Sequence, residues 1–466
     1  MKNRSTLRAV VCAVAVMLAG CASMAPDYEQ PKLPVAQSMG ATGVAAEELP
    51  ALQWQEVFVD ARLKQVIETA IANNRDLRVS LLNVEKAQAQ YRIQSADLFP
   101  RIAATASQTT SRNAVSNGSG GVQGQINRSA GLSVGFTSWE LDLFGRVRSL
   151  KNEALENYLS LAETGHSTRI SLIAEVASSW LTVGAHQQRL ALAKETLASQ
   201  RKTLELTRNK HAFGVASAVD VSQVETSVES ARVDVASYTT VLEQAQHALD
   251  LVVGSHVSNE LLPAVASDNN TGVALAALPP SLSSTTLLKR PDVLAAEHAL
   301  KAANADIGAA RAAFFPKVSL SVSAGYGSDA LSNLFDAGTR TWSFLPSISL
   351  PIFNAGSLKA SLDVAEIQKN IYVAQYEKSI QSAFSEVADA LSVRANIGEQ
   401  LNAQRALVKA SQTNYDLSDA RYRNGVNSYL QTLDAQRSLY SARQSLITLQ
   451  LSDAVSRVNL YKVLGG

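Results

Sequence analysis

The chain has 466 residues, of which 46% are apolar and 18% charged, with a formal net charge of +1 at pH 7. That length can bury a sizeable core and allows two to four domains, while the near-zero charge gives no footprint for nucleic acid or another polyanion. Aromatic residues make up only 6%, and abundant Ala, Ser, Leu and Gln suit long, closely packed helices better than an aromatic-lined cleft.

Lys2, Arg4 and Arg8 precede an apolar run from Ala9 to Ala19. The run is too short to cross a bilayer and has the layout of a secretory signal, predicted over residues 1–20. Cys12 falls inside it, which leaves Cys21 alone in the mature chain and predicts no intramolecular disulfide. Leu18-Ala19-Gly20-Cys21 resembles the bacterial lipobox, whose cysteine is acylated; the bland alternative is an ordinary signal with an incidental cysteine. Ala22, standing where an aspartate would imply retention at the inner membrane, implies sorting to the outer membrane. Residues 21–58 are rich in Pro, Ala and Gly and read as an acylated N-terminus and extended tether without a core of its own.

A first structural repeat is predicted over 59–270, a linker over 271–290 and a second repeat over 291–466. A short helix from about Asp60 to Ala72 is followed by one from about Leu77 to Leu98, which ends at Phe99-Pro100 because proline cannot continue it. The period then becomes two. Residues 101–111 form a weak strand, and in 129–139 Ala130, Leu132, Val134 and Phe136 alternate with small or polar residues. Arg112 to Arg128, rich in Gly, Ser and Asn, reads as an exposed loop. The second half repeats the plan: a helix from about Asp292 ends at Phe315-Pro316, and strands follow at about 317–327 and 341–350, with Trp342 and Phe344 placed for an interfacial girdle. Each strand has the length needed to cross a hydrocarbon layer when tilted. Four strands cannot close a barrel, however, and open edges do not survive in lipid, so either the strands are soluble or several chains pool them.

After Leu143-Phe144-Gly145 and after Ile352-Phe353-Asn354-Ala355-Gly356, helical patterns of roughly 65 to 70 residues begin, each about 100 Å long. They stop at Gly214 and Gly425, which lie 211 positions apart, as do Gly254 and Gly465. A self-match at constant offset with the turn chemistry kept argues for internal duplication. Glycine accepts the left-handed conformation that ends a helix, and Ser217 with Asp220, and Ser428 with Gln431, have the spacing of a capping box that starts the next one. Tight helical hairpins are therefore predicted at about 210–220 and 421–431. On the last arm Leu433, Tyr440, Ile447, Leu451 and Val458 form one apolar seam with Leu439 and Leu446 on a second, so that helix has neighbours on both sides.

The paired Phe-Pro steps, the Pro26-Asp27-Tyr28 segment, Trp139-Glu140-Leu141-Asp142-Leu143-Phe144-Gly145, the duplicated turns and the ending from Val458 to Gly466 together resemble the outer-membrane factor family of efflux ducts. The wording is most similar to its lipoprotein branch, which works with resistance-nodulation-division pumps. The resemblance implies a mostly α chain with a small β part, internally duplicated. It also implies a homotrimer in which four strands per chain make a twelve-stranded outer-membrane β-barrel continuing into a long periplasmic α-helical barrel. The implied partners are a periplasmic adaptor protein and an inner-membrane pump of that class, and the implied activity is passive export of drugs or other small toxic compounds. Gly214, Val215, Gly425 and Val426 fall where the family meets its adaptor. Leu430 and Asp434 match a pore aperture, a ring that would attract cations, and Asp220 and Tyr422 match contacts that hold the closed tip. Asn427 stands where a distantly related secretion duct carries a locking arginine, so the resemblance does not carry that lock over.

No constellation for catalysis or metal binding is legible. The six histidines are scattered, His298 follows Glu297 without a second histidine at zinc spacing, and Gly118 to Gly124 lacks the Gly-Lys-Ser/Thr ending of a phosphate loop. No enzyme activity, metal or cofactor is expected beyond lipid on Cys21. The alternatives are an outer-membrane conduit for type I protein secretion, or a structural periplasmic lipoprotein with long coiled coils.

Overall fold

A computed structural model describes residues 23–40, 53–117, 121–264, 273 and 281–466. The predicted signal, the lipobox with Cys21, the middle of the tether and most of the 271–290 linker lie outside these residues. In chain order the elements are β1 (Ser38–Gly40), α1 (Trp54–Val57), α2 (Ala61–Asn73), α3 (Arg75–Ala96), β2 (Ala103–Asn117), β3 (Gly121–Leu141), α4 (Arg146–Ala212), α5 (Ala218–Val253), β4 (Ser281–Ser283), α6 (Pro291–Ala312), β5 (Lys317–Ser328), β6 (Arg340–Ser349), α7 (Ser357–Arg423) and α8 (Tyr429–Val463). Among the described residues no helix is long and apolar enough to cross a membrane. The chain divides into two compact units.

The first unit comprises the N-terminal residues to Lys32, Asn83–Leu161 and Ala295–Tyr376. It holds an antiparallel sheet in the order β2-β3-β5-β6. The second hairpin matches the alternation in the sequence. The first is longer than expected, for the stretch read as a loop is largely strand, with Arg112 opposite Ile126 and Ala114 opposite Gly124. Small and polar residues give little contrast along a strand, whereas pairing two such stretches satisfies the backbone donors and acceptors on their facing edges. A bulge between Phe136 and Trp139, with Ser138 at φ 54°, interrupts the β3–β5 ladder. Every residue of β6 is exposed, Trp342 at 80%.

Where strands meet helices in this unit, Phe144 stacks on Phe315 with centroids 4.8 Å apart. Glu140 accepts from Arg146 Nη2 at 2.6 Å and from Lys317 Nζ at 3.1 Å, joining β3, α4 and β5. The Ala-rich α6 lets the N-terminal segment lie close, since a Cβ on Gly308 would fall 2.7 Å from the Ala25 nitrogen. Asn304 Nδ2 donates to Pro26 O, Tyr28 Oη to Glu297 Oε1 and Gln30 Nε2 to Tyr376 Oη. The segment is extended as a tether should be, yet it is fastened along the unit.

The second unit comprises Leu33–Leu82, Ala162–Leu294 and Glu377–Gly466. Its core gathers Trp54, Phe58, Leu63, Ile67, Ile173, Val176, Trp180, Leu249, Val253, Val458 and Tyr461. Trp54, Val57 and Phe58 fall within the stretch assigned to the tether, but each is buried there, Phe58 edge-on to Tyr461. Aromatic side chains bury too much apolar area to stay in a solvated linker. Asn74 breaks α2 from α3 by accepting from Leu77 N while donating to Val252 O. Arg290, its side chain 8% exposed, pairs with Asp292 and Glu386 and donates to Val463 O, which holds the end of α8.

Candidate functional site at the helical turns

The two long helices, α4 and α7, are each 67 residues and end in the same way. Val215 N donates to Lys210 O at 2.8 Å and Gly214 N to His211 O at 2.9 Å; Val426 N donates to Arg421 O at 2.9 Å and Gly425 N to Tyr422 O at 3.0 Å. This pair of bonds is the Schellman arrangement, which needs a left-handed residue, and Gly214 and Gly425 supply it at φ 77° and 74°. A Cβ on either glycine would meet nothing within 4 Å, so the constraint is conformational rather than steric.

The restarts differ. Ser217 and Asp220 form the predicted capping box at the start of α5. At α8 the Ser428 side chain caps nothing, and Asn427 Nδ2 instead donates to Gln431 Oε1. An amide one position earlier competes successfully for the glutamine oxygen, so the second predicted box does not form.

Both turns end in bare apolar groups: Phe213 is 85% exposed, and Val215, Val219 and Val426 are exposed with it. Behind them lies a small core of Val224, Tyr422, Tyr429 and Leu433. Tyr422 is edge-on to Tyr429 at 5.4 Å, and its hydroxyl meets Thr207 Oγ1. Lys210 Nζ sits 4.3 Å from the Tyr422 ring centre and donates to Tyr422 O at 2.8 Å and to Arg423 O. A lysine from the first repeat thereby caps the negative end of α7. Tyr429 Oη donates to Gln200 Oε1 at 3.1 Å, and burial pushes its phenol up to about 12.

Of the residues singled out from the sequence, Gly214, Val215, Gly425 and Val426 are brought to the turn surfaces. Leu430 and Asp434 lie one turn apart on α8 and are exposed, opposite the buried Thr432, Leu433 and Ala435. Asp220 and Tyr422 are not joined within the protomer: the carboxylate serves Ser217 N, and the phenol serves Thr207. Lys210, Thr207, Gln200 and Tyr429 were missed. Part of the signal was present, because Thr207 and Lys210 match Ser418 and Arg421 at the 211-residue offset.

Farther along this unit a cavity of about 590 Å³ is lined by Trp180, Ile397, Leu401, Ile447 and Leu451, beside Asp453 clasped by Arg394 and Arg457. Ile447 and Leu451 of the predicted seam therefore border a cavity in the protomer, while Leu433, Leu439 and Val458 are buried. Among the described residues no cluster of three His, Cys, Asp or Glu side chains gathers for a metal ion.

A family model described as Outer membrane efflux protein matches residues 66–255 and 282–466. The chain is 48% identical over 461 residues to a toluene efflux pump outer membrane protein, TtgC, of Pseudomonas putida, covering 97% of this chain and 94% of that protein. A membrane protein from Pseudomonas aeruginosa superposes with a TM-score of 0.89 at 39% identity, covering 95% of this chain and all of that one. The open state of the Neisseria gonorrhoeae MtrE outer membrane channel gives a TM-score of 0.85 at 39% identity, covering 96% and 98%. The chain therefore belongs to the outer membrane efflux protein family and is the outer-membrane channel component of an efflux system.

Proposed function

We propose that three copies of this chain assemble into one passive duct, pooling four strands each into a twelve-stranded barrel that continues into a long periplasmic helical barrel. The observation that carries this reading is the sheet itself, whose outer strands β2 and β6 leave both edges open while Trp342, Phe344, Leu345 and Ile348 stand exposed. In hydrocarbon each unpaired backbone group costs several kcal/mol, so a four-stranded sheet is stable there only when other copies close it. Helices of 67 residues, about 100 Å each, supply staves of the length a periplasmic conduit needs.

In this reading Cys21 carries lipid, and the bare turn residues Gly214, Val215, Gly425 and Val426 receive a periplasmic adaptor. Leu430 and Asp434 from three copies ring the aperture, and Asp220 and Tyr422 help hold it closed. Energy comes from an inner-membrane pump of the resistance-nodulation-division class, the duct itself catalysing nothing. The relatives named for toluene and antibiotic efflux favour small, toxic, largely apolar cargo.

The test has two parts. Membrane extracts run without heating should show a trimer that collapses to monomer on boiling, and a deletion strain should become sensitive to solvents and antibiotics. A protein that purifies as a water-soluble monomer without detergent would overturn the duct.

A further inference from the structure

The sheet is tied to its helices by two sets of matching aromatic steps. α3 enters β2 through Phe99-Pro100 and α6 enters β5 through Phe315-Pro316, while β3 leaves through Leu143-Phe144 and β6 through Ile352-Phe353. Within the protomer only the central junction is complete. There β3 lies beside β5, and Phe144 stacks on Phe315 with ring planes 23° apart. The duplicates of that pair, Phe99 and Phe353, stand at the roots of the two outer strands, 69% and 88% exposed, with Ile352 beside them at 93%.

We infer that Phe353 of one copy stacks on Phe99 of the neighbouring copy, completing between chains the aromatic joint that Phe144 and Phe315 make within one. The inference rests on the proposed trimer. Repeating the order β2-β3-β5-β6 head to tail places β6 of one copy against β2 of the next. That junction brings a strand leaving for a long helix beside a strand arriving from a short one, which is the relation of β3 to β5. The antiparallel sense follows without adjustment. Ile102, Ile348 and Leu350, all exposed in the protomer, flank the same junction.

The two junctions are not chemically equal. Glu140 clasps Lys317 across the central one. At the outer one Arg101 takes the place of Lys317, immediately after the Phe-Pro step, but it pairs with Asp97 of its own chain, and Ser347 to Pro351 offer no carboxylate. The joint between copies is therefore apolar and aromatic where the joint within a copy is also ionic.

The competing occupant is lipid: Phe99 and Phe353 would then face acyl chains independently, as girdle residues do. Two tagged forms of the full chain, one Phe99→Cys and the other Phe353→Cys, are co-expressed and treated in isolated outer membranes with a short thiol-reactive cross-linker. The inference expects a cross-linked dimer carrying both tags, and no cross-linked dimer when two differently tagged copies of the same single-cysteine form are co-expressed, a control that also covers Cys21. Trimers without the two-tag product would overturn the stack and leave the trimer standing, whereas no trimer even in the unsubstituted protein would overturn the trimer reading first. As a second measurement, Phe99→Leu, Phe353→Leu and the double variant are compared for the temperature at which the unheated trimer dissociates. Stacking predicts that the double variant falls no further than the lower single one. Falls that simply add would assign both rings to lipid.

Discussion

The hydroxyls of Tyr422 and Thr207 lie 2.7 Å apart and tie the last turn of α7 to the last turns of α4. Thr207 already donates its one proton to Thr203 O at 2.9 Å, so the phenol is the donor in this bond. The ends of the two long helices are thus held by a buried phenol, and Lys210 reinforces it from above the ring.

Tyr422→Phe should loosen this end by about 1 kcal/mol, the net worth of one neutral hydrogen bond. Tyr422→Ala should cost about 3 kcal/mol or more through the cavity it leaves. Faster amide hydrogen exchange confined to residues near both turns is the expected readout, with higher conductance in planar bilayers. Unchanged exchange in Tyr422→Ala would remove this contact as the tie.

Gly425 is required for its backbone and not for its size. Gly425→Asn, which tolerates the left-handed region, should keep drug resistance, whereas Gly425→Val should cost about 1–2 kcal/mol locally and abolish resistance. Trimers should persist in both. Loss of the trimer in Gly425→Val would make the glycine purely structural, and retained resistance would detach the turn from adaptor binding.

Asp434 and Leu430 share an exposed face of α8. Asp434→Ala should raise single-channel conductance, because three shorter side chains widen the proposed aperture, and weaken cation preference, because the ring of three carboxylates that concentrates cations is removed. If neither quantity moves, the carboxylates do not line the aperture.

Glu153 on α4 has its carboxyl pushed up by burial and by the charge of Asp306, and burial pushes Asp306 up as well. A carboxyl with a raised folded pKa stabilises the fold fully below its unfolded pKa and loses that contribution as pH rises through the folded value. Thermal stability of the purified protein should therefore decline from mildly acidic pH toward neutral. Glu153→Gln should flatten that decline, raising the melting temperature at neutral pH and leaving it unchanged in acid. A slope identical to that of the unsubstituted protein would show that Glu153 is not its source.

Much of this protein is legible in one dimension because its elements are set by local rules. Pro100 and Pro316 end helices, Gly214 and Gly425 turn them, and the 211-residue offset exposes the duplication, since each effect depends on a residue and its near neighbours. The first hairpin was legible only in part, because strand extent depends on the partner: Arg112 to Arg128 carries loop composition, yet Arg112 finds Ile126 across the ladder. The start of α8 is hidden in the sequence for a similar reason, since the Gln431 side chain can accept from the Ser428 backbone or from the Asn427 amide, and geometry chose the amide.

What the sequence alone determined was periodicity, punctuation and repetition, and through them the long helices, the four strands and the glycine turns. Tertiary structure decided which side chains meet across those elements. Tyr422 found Thr207, Lys210 capped the other repeat's helix, and Phe58 entered a core instead of a tether. Backbone conformation is chosen within a few residues, whereas these partners lie up to several hundred residues apart and are brought together only by packing.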